Sequence, residues 1–235
     1  MYKQGGIKAV DRLNLHIKNG EIYAFIGANG SGKTTSVNMM TGALAPTSGS
    51  IRVLGLAQPM QRHVIAERIG VVPQEYSLYQ DLTVWENVEF FGGLYGVRKT
   101  KIKEKASELM RILNLDDREQ SLVSNLSGGM KRRVSIACAL VHDPAIVFFD
   151  EATVGVDPIL RSFFWRYFRT LTQRGVTIIL TSHVMDEAER ADRIGLMRAG
   201  RLIEEGAPIE LKQRHNVNTI EELFIKLGGE AVVDG

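Results

Sequence analysis

Eight residues, Gly27-Ala28-Asn29-Gly30-Ser31-Gly32-Lys33-Thr34, carry the pattern G-x-x-x-x-G-K-[ST] directly after an apolar run, Ile22-Tyr23-Ala24-Phe25-Ile26. A strand that turns through glycines into a helix is the context in which this pattern cradles phosphate. Small residues let backbone N–H groups approach the anion, and the helix start adds a favourable dipole. Lys33 is placed to reach the terminal phosphates and Thr34 to offer its hydroxyl to Mg²⁺, with Thr35 supporting the same cradle.

Two carboxylates follow a second apolar run, in Phe148-Phe149-Asp150-Glu151. They stand at the C-terminal edge of a predicted buried strand, the edge on which ligands collect in α/β sheets. Asp150 suits a magnesium-side ligand and Glu151 a base that polarises water; capping acids for the next helix are the lesser reading of the pair standing alone, and weaker still beside a phosphate loop. Thr181-Ser182-His183 ends another apolar strand, which puts His183 within reach of a γ-phosphate or an attacking water, with a helix-start role as the competitor. Gln74, after Val71-Val72-Pro73, ends a strand too, and its amide could reach the metal or the water.

A second glycine turn, Leu126-Ser127-Gly128-Gly129-Met130, raises a question of number. Ser127 is positioned as a helix N-cap, and Gly128 and Gly129 leave backbone donors uncovered. One triphosphate does not need two cradles. A mostly helical segment separates this turn from Lys33, so the simplest resolution is that the two cradles meet between chains.

The elements that must hold these groups are legible from periodicity. Leu13, Leu15 and Ile17 alternate with polar residues, and Asn19-Gly20 then turns into residues 21–26, which predicts an N-terminal antiparallel hairpin. A helix is expected from about Lys33 to Thr41, then strands over 50–54 and 69–72 with a short helical stretch over 61–68 between them. From Thr83 to Val141 the texture is helical, with Ile102, Ala106, Leu109 and Leu113 forming a core-facing stripe. The runs at 145–149 and 176–180 are too apolar to have a wet face, which implies a parallel sheet covered on both sides. Strands over 194–197 and 201–204, a helix from Pro208 and a capping-box start at Thr219 complete the chain.

Bulk properties narrow the partners. The 235 residues are 44% hydrophobic, enough for a substantial core, and 29 basic against 27 acidic residues leave a net charge of +2. These charges are interspersed, which gives no case for nucleic acid. The single cysteine, Cys138, permits neither an intrachain disulfide nor a cysteine zinc cluster. It is expected to be a buried small hydrophobe. No signal peptide and no run of the ~20 apolar residues that a spanning helix needs is visible. The chain is therefore expected in the cytoplasm, with any membrane work requiring another subunit.

Taken together and in order, GANGSGKT, Gln74, LSGGM, Asp150-Glu151, Val154-Gly155-Val156-Asp157 and His183 resemble the nucleotide-binding subunit of ATP-binding-cassette transporters over nearly the whole chain. The resemblance implies an α/β fold: a P-loop NTPase (RecA-like) core with a parallel sheet, an N-terminal antiparallel β subdomain and an inserted α-helical subdomain. It implies one domain over 1–235, divided into 1–74 with 143–206, a helical signature part over 75–142 and a C-terminal tail over 207–235. Two subunits would pair head to tail as a homodimer or with a similar ATPase. ATP and Mg²⁺ would then lie between the loop containing Gly27, Asn29, Gly30, Ser31, Gly32, Lys33, Thr34 and Thr35 of one chain and Ser127, Gly128 and Gly129 of the other.

The same resemblance makes Thr34, Gln74 and Asp150 the metal-side residues, Glu151 the general base, His183 a γ-phosphate contact and Asp157 a communicator across the dimer. An integral membrane permease would dock on the helical part. Asp81-Leu82-Thr83-Val84-Trp85-Glu86-Asn87 and the tail from Ile220 are similar to exporters of the drug-resistance and ABC-2 type. A soluble non-transport member of the superfamily or a nucleotide-regulated adaptor is the alternative. Two departures stand out. Gln4 occupies the place of the usual adenine-stacking aromatic, with Tyr2 offset by two, so base stacking is expected to be weaker. Ala152 replaces the usual proline after Glu151, a small loss of loop rigidity.

Overall fold

The computed structural model describes residues 8–151 and 156–233, with side chains through 228. Its centre is a six-stranded sheet, in the order β4-β5-β6-β1-β7-β8. The strands are β1 (Ile22–Ile26), β4 (Ile69–Val72), β5 (Ile146–Asp150), β6 (Thr177–Ser182), β7 (Arg193–Arg198) and β8 (Arg201–Gly206). All neighbours run parallel except β7 and β8. The short β2 (Ile51–Val53) and β3 (Leu56–Gln58) form a separate antiparallel pair.

Period-2 alternation distributes the strand side chains between two cores. Ile22, Ala24 and Ile26 of β1, Val147 and Phe149 of β5, and Ile178 and Leu180 of β6 face one core. Tyr23, Phe25, Ile146, Phe148 and Ile179 face the other. Both faces are dry, which is why these strands read as unbroken apolar runs.

The first core is closed by α3 (Val84–Leu94), α4 (Lys99–Ile112), α5 (Gly128–Leu140) and α6 (Pro158–Gln173). On the second lie α1 (Lys33–Thr41), α2 (Arg62–Ala66) and the β2–β3 pair, which contribute Val37, Ile65 and Val53. A single turn, α7 (Met185–Ala188), follows β6, and α8 (Pro208–His215) and α9 (Ile220–Val233) end the chain.

Local signals set these boundaries. The α3 start is a complete capping box between Thr83 and Glu86, and Ile102, Ala106, Leu109 and Leu113 are buried along α4 and its C-cap as their spacing requires. At α9 the box is incomplete: Thr219 Oγ1 accepts from Glu222 N, but the Glu222 carboxylate takes the N–H of Asn218 instead.

The N-terminal hairpin does not form. Ile22–Ile26 is a central strand, parallel to both β6 and β7, and residues 11–18 form no strand. Leu13, Leu15 and Ile17 still turn inward onto the second core. Alternating burial was enough to produce the pattern, so the period reported a half-buried segment correctly and its pairing incorrectly. The antiparallel element of this layer is β2–β3. Cys138 is 4% exposed in α5, and burial pushes its thiol far above the ordinary range, which leaves it an inert core residue.

Candidate functional site

Strand register brings the chemistry to one edge. Ile26 pairs with Ser182, Asp150 with Thr181, and Val72 with Phe149. The loops that leave β1, β4, β5 and β6 therefore emerge side by side at the carboxyl end of the sheet. That is the edge open to ligands in an α/β fold.

The loop after β1 is built for close backbone approach. Gly30 and Gly32 have φ of +78° and +103°, the left-handed region that side chains disfavour. A Cβ on Gly27 would lie 2.2 Å from the Met197 carbonyl oxygen, so β7 also demands glycine here. Ser31 N donates to Ala28 O at 3.1 Å and closes the turn. Gly32 caps α1 without any side-chain hydrogen bond, leaving the first-turn N–H groups of α1 open to an anion. Ser31 is buried, and its hydroxyl finds no hydrogen-bond partner among the described residues.

Lys33 folds back over this loop. Its Nζ donates to Gly27 O at 2.8 Å and Ala28 O at 3.1 Å and stands 3.8 Å from Glu151 Oε1. Burial pushes this ammonium below the usual lysine range, against the opposing pull of Glu151 and Asp150. An incoming polyanion would offer better partners than two loop carbonyls.

Asp150 and Glu151 face different neighbours. Asp150 Oδ1 accepts from Thr34 Oγ1 at 3.1 Å and from Thr181 Oγ1 at 2.6 Å. Two hard oxygen donors, Thr34 and Asp150, thus meet beside the phosphate loop, a set that suits Mg²⁺ supported largely by phosphate and water. Glu151 has φ +49°, a left-handed conformation rare for a non-glycine residue. Its N–H donates to Thr181 Oγ1 at 3.0 Å and to Thr181 O at 3.2 Å. The turn aims Oε2 at His183 Nδ1, 3.4 Å away. A buried carboxylate between a lysine and a half-exposed histidine can accept a proton from water.

Thr181 is the residue that sequence reasoning missed. Only 1% exposed, it ties Asp150 to the backbone of Glu151 with one hydroxyl. The available signal was a polar residue interrupting the run Ile178-Ile179-Leu180 just before Ser182.

Gln74 sits on the exposed loop after β4, where its carbonyl accepts from Arg132 Nη2 at 2.8 Å. Ser127 caps α5 by accepting from Met130 N at 3.3 Å. Among the described residues no hydrogen bond or ion pair joins Ser127, Gly128 or Gly129 to the loop 27–34. The structure instead sets that turn against the start of α6, where a Cβ on Gly129 would lie 3.2 Å from Leu160 Cδ2. Asp157 caps α6, its Oδ1 accepting from the N–H groups of Ile159 and Leu160 at 3.1 and 3.0 Å. Gln4 and Tyr2, and residues 152–155 with Ala152, Val154 and Gly155, lie outside the described residues.

Comparison with known proteins gives the same motifs a context. The family profile described as "ABC transporter" matches residues 10–154. The chain is 40% identical over 230 residues to the probable multidrug ABC transporter ATP-binding protein YbhF of Escherichia coli (strain K12), covering 96% of this chain. It spans only 40% of that relative's own length. It is 37% identical to the linearmycin resistance ATP-binding protein LnrL of Bacillus subtilis (strain 168), covering 94% of this chain and 72% of LnrL.

Among solved structures, an ATP-binding subunit of an ABC transporter superposes with a TM-score of 0.88 at 24% identity, over 96% of this chain and 95% of that one, which speaks for the fold. The dimeric structure of MJ0796, a bacterial ABC transporter cassette, gives 0.81 at 28% identity over 88% and 94%. A dimeric post-hydrolysis state of the same cassette, bound to ADP and Pi, gives 0.80 at 28% identity over 88% and 94%.

Proposed function

Because the chain belongs to the ABC transporter family of ATP-binding proteins, we propose that it binds and hydrolyses ATP to drive a transporter, in the direction of export. The observation that carries this is the convergence of Lys33, Thr34, Asp150, Glu151 and His183 at one sheet edge, with Thr34 3.1 Å from Asp150 and Glu151 between Lys33 and His183. In this reading Gly27, Asn29, Gly30, Ser31, Gly32 and Thr35 shape the cradle and Lys33 exchanges its two carbonyl partners for phosphate oxygens. Thr34 and Asp150, with Gln74 assigned to the same ion, would hold Mg²⁺, which would supply charge neutralisation at the phosphates. Glu151 orients and deprotonates the attacking water, and His183 steadies the carboxylate and the γ-phosphate.

Because no hydrogen bond or ion pair among the described residues joins the signature turn to the loop 27–34, we assign Ser127, Gly128 and Gly129 to the ATP of a partner, with the two copies head to tail. The dimeric MJ0796 cassettes support pairing of two copies. Asp157, exposed at the start of α6, is assigned to sensing that partner. The helical part 75–142 is assigned to docking on a membrane permease. Its exposed Tyr79, Phe90 and Leu94 supply apolar contact area. No helix of the described residues is long and apolar enough to cross a membrane, and we place the subunit at the cytoplasmic face. Export is favoured by relatives named for multidrug transport and linearmycin resistance.

The test uses Glu151→Gln protein in size-exclusion chromatography with light scattering, beside ATP turnover by the wild type. A Glu151→Gln monomer that dimerises only with ATP and Mg²⁺, and fails to when Ser127→Arg is added, supports the shared cradle. No turnover by the wild type together with no nucleotide binding would reject the reading.

A further inference from the structure

Arg132 is a cation that the reaction scheme above leaves without a task. It lies in the second turn of α5, five residues after Ser127, and is only 5% exposed. Its guanidinium forks onto two successive carbonyls of the loop after β4: Nη1 donates to Pro73 O at 2.6 Å and Nη2 to Gln74 O at 2.8 Å. The plane of the group sits over the Tyr76 ring, 4.9 Å from its centroid. Tyr76 then returns to the same helix, its hydroxyl donating to Gly128 O at 3.0 Å. A Cβ on Gly128 would come within 3.2 Å of that hydroxyl.

These contacts form a closed circuit. Gln74 is bound through Arg132 to α5, α5 begins at Ser127-Gly128, and the Gly128 carbonyl accepts from Tyr76, two places after Gln74. A loop that is otherwise exposed is thereby fixed at both ends to the start of one helix. The fork matters, because a planar guanidinium can satisfy two adjacent carbonyls at once and an ammonium cannot hold that geometry. Its anchors are carbonyl oxygens rather than a carboxylate, so the arrangement carries a desolvation cost for little gain in stability.

We propose that Arg132 is a positioning residue that rivets the Gln74 loop to the Ser127-Gly128 turn, so that the part of the chain reading its own nucleotide and the part reading its partner's move as one body. The inference rests on the roles given above to Gln74 and Ser127. It adds the physical link between them: a shift of Gln74 at one ATP is transmitted along Arg132 to the cradle closing on the other.

A double-mutant cycle on the full chain reads this link. Arg132→Met keeps the volume and removes the fork, and such replacement of a buried cation is often tolerated in folding. Arg132→Met is expected to lower kcat about tenfold, the worth of a charge-assisted hydrogen bond. The ATP concentration at half-maximal rate should move less than about twofold, because the Lys33 loop is untouched. In a Gln74→Ala background, Arg132→Met should cost less than about twofold more, since its route to the nucleotide is already cut. Arg132→Lys should recover only part of the loss. Tyr76→Phe, which removes one exposed hydroxyl without threatening the fold, should cost about threefold and also lose its effect in the Gln74→Ala background. That variant carries the cycle if Arg132→Met does not fold. Multiplicative losses, or wild-type rates in Arg132→Met and Tyr76→Phe, overturn the rivet while leaving the ATPase reading intact. Absence of ATP hydrolysis in the wild-type protein overturns both.

Discussion

Replacing Thr181 by valine isolates the part of the site that sequence patterns did not reveal. The substitution is nearly isosteric and the position is 1% exposed, so packing changes little. What disappears is one hydroxyl with two bonds, donated to Asp150 Oδ1 at 2.6 Å and accepted from Glu151 N at 3.0 Å. A hydrogen bond to a charged acceptor contributes about 1.5–3 kcal/mol. The Glu151 N–H keeps a second acceptor in Thr181 O at 3.2 Å, so its loss is partial. A methyl in place of the hydroxyl returns under about 1 kcal/mol of apolar burial. The net cost is about 2 kcal/mol in stability by urea unfolding. Catalysis should suffer more than binding, because Asp150 Oδ1 is then left, among the described residues, with Thr34 at 3.1 Å and the left-handed turn at Glu151 loses a support. We expect kcat to fall at least about tenfold with nucleotide affinity little changed. Thr181→Ser is the control, since it keeps both bonds and gives up one methyl. Were Thr181→Val within about 0.5 kcal/mol of wild type and as active as Thr181→Ser, the claim that this hydroxyl organises the two carboxylates would be wrong.

Further outcomes follow from the same geometry. Gly27→Ala places a Cβ 2.2 Å from the Met197 carbonyl oxygen, a backbone clash that should cost at least about 3 kcal/mol. Gly30→Ala meets open space and pays only for φ +78°, about 1–2 kcal/mol, so thermal denaturation of the pair should separate them widely. His142 stacks on Tyr95 with ring centroids 3.6 Å apart, and Nε2 lies 2.9 Å from Ile69 O. Burial holds its pKa below the ordinary 6.5, although the Ile69 carbonyl and Asp143 pull the other way. The unfolded chain then binds the proton first, so stability is fully present above pH 6.5 and falls as the pH drops from there through the lower folded value. Denaturant titrations between pH 7.5 and 5 should show that slope, and His142→Phe, which keeps the stack, should flatten it; an unchanged slope would assign the pH dependence to other groups.

That loop 27–34, Asp150 and Glu151 gather at one sheet edge was legible because the candidate pattern requires particular residue types at fixed spacing beside a strand end. The register then placed Asp150 opposite Thr181 and Ile26 opposite Ser182, as parallel pairing of unbroken apolar runs demands. Leu13, Leu15 and Ile17 misled for a physical reason: alternation records which side chains face the core, and hydrogen-bond partners are set by tertiary neighbours that a local pattern does not contain. β1 found those partners in β6 and β7, more than 150 residues later in the chain.

The left-handed backbone at Glu151 was illegible on similar grounds. Nothing in Phe148-Phe149-Asp150-Glu151 requires φ +49°, and a glutamate is an unfavourable choice for it. The conformation holds because Thr181 on the neighbouring strand accepts the Glu151 N–H twice, through Oγ1 and through its carbonyl. The direction of the proposed base is therefore set by a residue on another strand. Arg132 acts in the same manner on Gln74, from 58 positions away in sequence. In both places the residue type that would do the chemistry can be read locally, while its aim comes from a partner that only the folded chain brings near. Substitutions of Thr181 and Arg132 should consequently impair the site although neither side chain belongs to the phosphate-loop or signature patterns.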